Sequence, residues 1–72
     1  MSGTSRNAVI VNGEPVAGAE GLSLAELLLR LGEPADQVAT ALNGSFVARD
    51  RRDEVQLATG DRITVFKAIV GG

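Results

Sequence analysis

The sequence predicts an α+β roll: a mixed sheet of four to five strands with one main helix packed on one face. Three observations carry this expectation. A single segment, residues 22–32, shows helical periodicity. Two Asn-Gly pairs each follow a short run of strand-forming residues. A final β-branched run, residues 63–70, is long enough to cross a sheet.

Residues 8–11 (Ala-Val-Ile-Val) open the chain's order after a polar N-terminal segment, residues 1–7, expected to be flexible. Asn12-Gly13 follows at once, a hairpin signal because both residues accept positive φ. Residues 15–17 are the return strand, and Pro15, which cannot donate to a ladder, assigns it to a sheet edge. The first run is apolar on both faces, as a strand near the middle of a sheet should be.

In residues 22–32, Ser23 and Glu26 stand three apart in a capping-box pattern, and Leu22 and Leu27 occupy the positions of a hydrophobic staple. Leu24, Leu27, Leu28 and Leu31 repeat at i, i+3, i+4, i+7 and give one stripe to face the core. Gly32 is placed to end the helix in a left-handed conformation, and Pro34 blocks its resumption.

Residues 34–37 read as a loop, and residues 38–42 as a strand with Val38, Thr40 and Leu42 on one face and Ala39 and Ala41 on the other. Asn43-Gly44 turns the chain into a short strand at Phe46 and Val47. The mixed-sign charges of residues 49–54 are expected to form a solvated loop. Val55 and Leu57 return the chain to the core, and residues 59–61 turn it into the last strand. The two hairpins leave the first and last strands to pair centrally.

In the last strand the period of two places Ile63, Val65 and Lys67 on the helix side and Arg62, Thr64, Phe66 and Ala68 on the open side. Phe66 should then be exposed beside the two alanines of the third strand. Phe66, Ala68, Arg62 and Ala41 form a candidate docking surface for a partner. The strand leads without a turn signal into Gly71 and Gly72. Two residues with no Cβ make a thin, pliable peptide, so the α-carboxylate of Gly72 is the chemical handle expected to work. Domain limits follow: residues 8–70 form the domain and residues 71–72 a flexible tail.

Composition narrows the chemistry. With 72 residues there is one domain, and chains of this size bury only about 60 % of their unfolded surface. Cysteine and histidine are both absent, which removes a catalytic thiol, Cys-ligated metal and the commonest general base. No catalytic residue and no metal ligand is assigned, and the chain is expected to be acted on by enzymes rather than to be one. A net charge of −2 and a pI near 4.9 argue against nucleic acid. Phe46 and Phe66 are the only aromatics, too few for a stacking platform. No apolar run reaches the about 20 residues of a membrane span, and the N-terminus lacks a secretory signal pattern. Cytoplasmic residence and an isolated monomer are expected.

These segments resemble the ubiquitin-like β-grasp sulfur carriers, and among them the ThiS family of thiamine biosynthesis. The resemblance lies in VIVNGE (residues 9–14), LSLAELLLRLG (residues 22–32), VATALNGSFVAR (residues 38–49) and, most strongly, LATGDRITVFKAIVGG (residues 57–72). It covers nearly the whole chain from residue 8. Ala48 stands where the family commonly has proline. The resemblance implies a β-grasp fold and a carrier function centred on Gly72. An adenylating enzyme of the ThiF type uses ATP to activate the terminal carboxylate. Sulfur from a persulfide enzyme then gives a thiocarboxylate, and a thiazole synthase of the ThiG type receives the sulfur. No cofactor is bound by the carrier itself. Gly72 is the implied covalent carrier, with Gly71 and Val70 threading the partner's active site. A tail of four residues reaches about 13–14 Å when extended.

Other readings stay open at this level. The small subunit of molybdopterin synthase shares the fold and carboxyl chemistry, although its tail tends to carry prolines that residues 67–70 lack. Carriers for cysteine synthesis or tRNA thiolation are similar. A protein-conjugated ubiquitin-like modifier also ends in Gly-Gly, and a binding module with inert terminal glycines belongs to a third class.

Overall fold

The computed structural model describes residues 8–67. The expectations for residues 1–7, Ala68, Val70, Gly71 and Gly72 lie outside the described residues. In chain order the elements are β1 (Val9–Val11), β2 (Glu14–Val16), α1 (Leu24–Leu31), β3 (Val38–Leu42), β4 (Ser45–Val47) and β5 (Arg62–Lys67). Two short 3-10 segments, Ala35–Gln37 and Arg49–Glu54, join them.

Both Asn-Gly pairs form tight hairpins. Asn12 and Asn43 each take φ 50°, and Gly13 and Gly44 take φ 86° and 87°, the doubly left-handed geometry whose twist matches paired strands. The first turn joins β1 to β2 in the register Val9↔Val16, Ile10↔Pro15 and Val11↔Glu14. The second joins β3 to β4. The five strands lie in the order β2-β1-β5-β3-β4. β5 runs parallel to β1 and antiparallel to β3, so the strand that precedes the tail is the middle of the sheet. Pro15 sits on an edge strand, where its missing N–H costs no ladder bond.

α1 is set by its ends. The Ser23 Oγ accepts from the Glu26 amide at 3.0 Å, and the Glu26 carboxylate accepts from the Ser23 amide at 2.9 Å. This closes the reciprocal capping box that the spacing predicts. Gly32 ends the helix at φ 75°. Leu24, Leu27 and Leu28 are buried, the first two in the core cluster with strand residues Val9, Val11 and Ile63. Burying each such side chain contributes about 1.5–3 kcal/mol. The fourth leucine of the stripe departs from expectation, since Leu31 is exposed. It lies in the last turn, over the β1–β2 edge beside Val11 and Val16, where a short edge strand offers little cover.

The core joins Val9, Val11, Ala19, Leu24, Leu27, Val47, Leu57 and Ile63. Leu57 is drawn in by backbone bonds on both sides: its amide donates to the Leu22 carbonyl and its carbonyl accepts from the Gly21 amide, each at 2.9 Å. The 58–61 turn is closed by Asp61, whose carboxylate accepts from the Ala58 amide at 2.9 Å.

The charged run at residues 49–54 is the main correction. It is a 3-10 helix packed beside α1; five of its six residues are exposed, as expected, and the departure is Arg52. Arg52 within it is only 3 % exposed. Its Nε donates to Thr40 Oγ1 at 3.1 Å, Nη1 to the Ala35 carbonyl at 2.8 Å and Nη2 to the Val38 carbonyl at 2.7 Å. A planar fork of donors meets three acceptors, one hydroxyl and two carbonyls, on β3 and the 3-10 segment before it. Burial first, and Arg49 second, push its pKa below the ordinary arginine value.

Candidate functional site

β5 has two faces and two edges, and each does something different. Ile63 is buried beneath α1 and Val65 is half-buried. Lys67 shares their parity but is exposed at the end of the strand. On the other face Arg62, Thr64 and Phe66 are exposed, as the period of two requires. Phe66 is 49 % exposed, a large apolar ring left open to solvent.

The register brings the residues of this open face together. Phe66 pairs with Ala39, and Thr64 pairs with Ala41. Ala41 in turn pairs with Phe46 of β4, and Arg62 pairs with Ile10 of β1. Thus the sheet places Arg62, Phe66 and Ala41, three of the named docking residues, on one surface; the fourth, Ala68, falls outside the described residues. The half-buried alanines form a low floor between two rings, because small side chains on β3 leave Phe46 and Phe66 standing above the sheet.

Phe46 is the member that the sequence reading did not assign. It is 70 % exposed, and its place on this face follows from the second hairpin. A two-residue Asn43-Gly44 loop fixes Ala41 opposite Phe46, so continuing the period of two through the turn identifies it.

The apolar centre of this face is rimmed by Arg62, the mix of apolar core and charged rim that protein surfaces use for recognition. Among the described residues there is no cluster of metal-ligating side chains, and no helix is long and apolar enough to cross a membrane.

A five-stranded mixed sheet wrapped on one helix, with parallel first and last strands paired at its centre, defines a ubiquitin-like β-grasp protein. Within that class the chain belongs to the ThiS family, whose family model matches residues 9–72. It is similar to the crystal structure of the thiamine biosynthesis protein ThiS from Geobacter metallireducens. The TM-score there is 0.76 at 36 % identity, covering 89 % of this chain and 97 % of that one. A solution NMR structure of a thiamine biosynthesis protein from the same organism has a TM-score of 0.72 at 35 % identity, covering 90 % of this chain and 87 % of that one. No curated protein gives a significant match.

Proposed function

We propose that this protein is a sulfur carrier for thiazole formation in thiamine biosynthesis, with the Gly72 carboxylate as the reactive group. The observation that carries the reading is the family match running through Gly72, joined to a central strand that reaches Lys67 only five residues before it. The globule serves as a handle, and both chemical steps belong to partner enzymes.

A glycine α-carboxylate has a pKa of about 3.3–3.7 and is an anion at neutral pH, a poor electrophile. A carboxylate oxygen attacks the α-phosphorus of ATP in the ThiF-type enzyme, and pyrophosphate leaves. The terminal sulfur of a persulfide then attacks the acyl carbon and AMP departs. Cleavage of the resulting S–S bond by a second thiol leaves a thiocarboxylate on Gly72. This group delivers sulfur to a ThiG-type thiazole synthase. Gly71 and Val70 lead Gly72 into each active site, while Phe66, Arg62, Ala41 and Ala68, with Phe46, meet the partner surface. The carrier itself binds no cofactor and works in the cytoplasm.

The test is to incubate the protein with its host's activating enzyme, ATP and a sulfur source, then measure intact mass. Replacement of one oxygen by sulfur supports the carrier reading. Isopeptide adducts on lysines identify a modifier instead, and an unchanged mass with pyrophosphate release absent refutes both.

A further inference from the structure

The edges of β5 are unequally supported. On the β3 side, pairing runs the full length from Ile63 to Lys67. On the β1 side, pairing stops early because β1 ends at Val11. The amides of Ile10 and Asn12 donate to the carbonyls of Asp61 and Ile63, each at 2.9 Å. These bonds advance two residues at a time along β5, so the next falls due at Val65. By then the chain has already turned away at Asn12-Gly13.

The Asn12 side chain fills that place. Its Oδ1 accepts from the Val65 amide at 2.8 Å, and its Nδ2 donates to the Val65 carbonyl at 3.1 Å. A primary carboxamide offers one acceptor and donors in the same spacing as a peptide group, and here it stands in for one residue of strand. Asn43 does the same kind of work at the other end of β5, accepting from the Arg62 amide at 3.0 Å. Each hairpin turn therefore grips the central strand with its asparagine, one at the start and one near the tail.

We infer that Asn12 is a positioning residue for the strand that leads to the C-terminal residues: its carboxamide extends the β1-side support of β5 from Ile63 to Val65 and so steadies that strand on both edges. The inference deepens the carrier reading and rests on it for its functional half. Left-handed geometry alone does not account for Asn12, since glycine meets the same φ. What glycine lacks is the pair of bonds to Val65.

The test uses the full chain with Asn12→Gly, which keeps the turn and deletes the carboxamide, beside Asn43→Gly as an internal control. Amide hydrogen exchange is read residue by residue. In Asn12→Gly the Val65 amide should exchange about tenfold faster, the scale of a lost hydrogen bond, while Arg62 stays as in the parent. Asn43→Gly should give the reverse. An unchanged Val65, or a uniform rise across the core, overturns the clamp. With the activating enzyme, Asn12→Gly should raise the apparent KM for the carrier about three- to tenfold with kcat retained, as expected of lost positioning in binding. An unchanged KM overturns the positioning role. A parent protein that is not activated at all refutes the carrier reading, and the exchange result still decides the clamp.

Discussion

Arg52 and Thr40 lie buried against one another, the Arg52 Nε donating to Thr40 Oγ1 at 3.1 Å while that hydroxyl donates on to the Val47 carbonyl at 3.1 Å. This relay ties the 3-10 segment, β3 and β4 into one unit. Among the described residues no carboxylate hydrogen-bonds the Arg52 guanidinium, and the three acceptors it meets are all neutral oxygens. Replacing Arg52 by methionine takes the donors from three acceptors, two of them in buried bonds. The expected loss is about 2–4 kcal/mol in chemical denaturation. Lysine, a single ammonium that cannot span the fork, should recover less than half of it. A loss below about 0.5 kcal/mol for Arg52→Met would show that the segment is held by other contacts.

Ala48 holds a backbone conformation that proline would also adopt. Its backbone has φ −65°, the value a proline ring imposes, and Val47 before it is in an extended strand, as a residue preceding proline must be. Ala48→Pro should therefore raise stability by about 0.4–1 kcal/mol through the unfolded chain. In a domain of this size that is a rise in Tm of a few degrees, at about 4–8 °C per kcal/mol. A fall in Tm would mean that the ring clashes with the Arg51 and Val55 side of the adjoining concavity.

The capping box should behave as an independent unit. Ser23→Ala removes the acceptor for the Glu26 amide and should cost about 1 kcal/mol. Because Ser23 and Arg52 share no hydrogen-bond partner among the described residues, the double variant should be additive within about 0.5 kcal/mol. Strong coupling would point to a shared rearrangement of α1 and the 3-10 segment packed beside it.

Phe66 should matter for binding and hardly at all for folding. Phe66→Glu is expected to leave Tm within a few degrees of the parent and to weaken affinity for the activating enzyme about tenfold or more, read by titration calorimetry. Phe46→Glu should act in the same direction, since the register sets both rings on one face. A large loss of stability in either variant would place that ring in the core.

Much of this was legible from residue types because the local signals agree with one another. Ser23, Glu26 and Gly32 mark the ends of α1, and Asn12-Gly13 and Asn43-Gly44 fix both hairpins. The alternation of residues 62–67 orients β5 correctly, Phe66 included. What escaped was the tertiary use of polar groups. Nothing in a run of alternating charges singles out Arg52, whose role depends on acceptors at residues 35, 38 and 40. Asn12 was read as a turn residue only, because its partner Val65 lies 53 positions away. Leu31 kept helical phase, yet the sheet beneath it ended first.

The central claim is that a bare carboxylate at Gly72 is the reactive end and the folded body presents it. The most direct measurement compares the native chain with one extended by a single residue after Gly72, following thiocarboxylate formation by intact mass in the presence of the activating enzyme, ATP and a sulfur donor. The account predicts sulfur for oxygen in the native chain and none in the extended one, with identical thermal unfolding curves. Equal sulfur incorporation in both, or incorporation in neither, would contradict it.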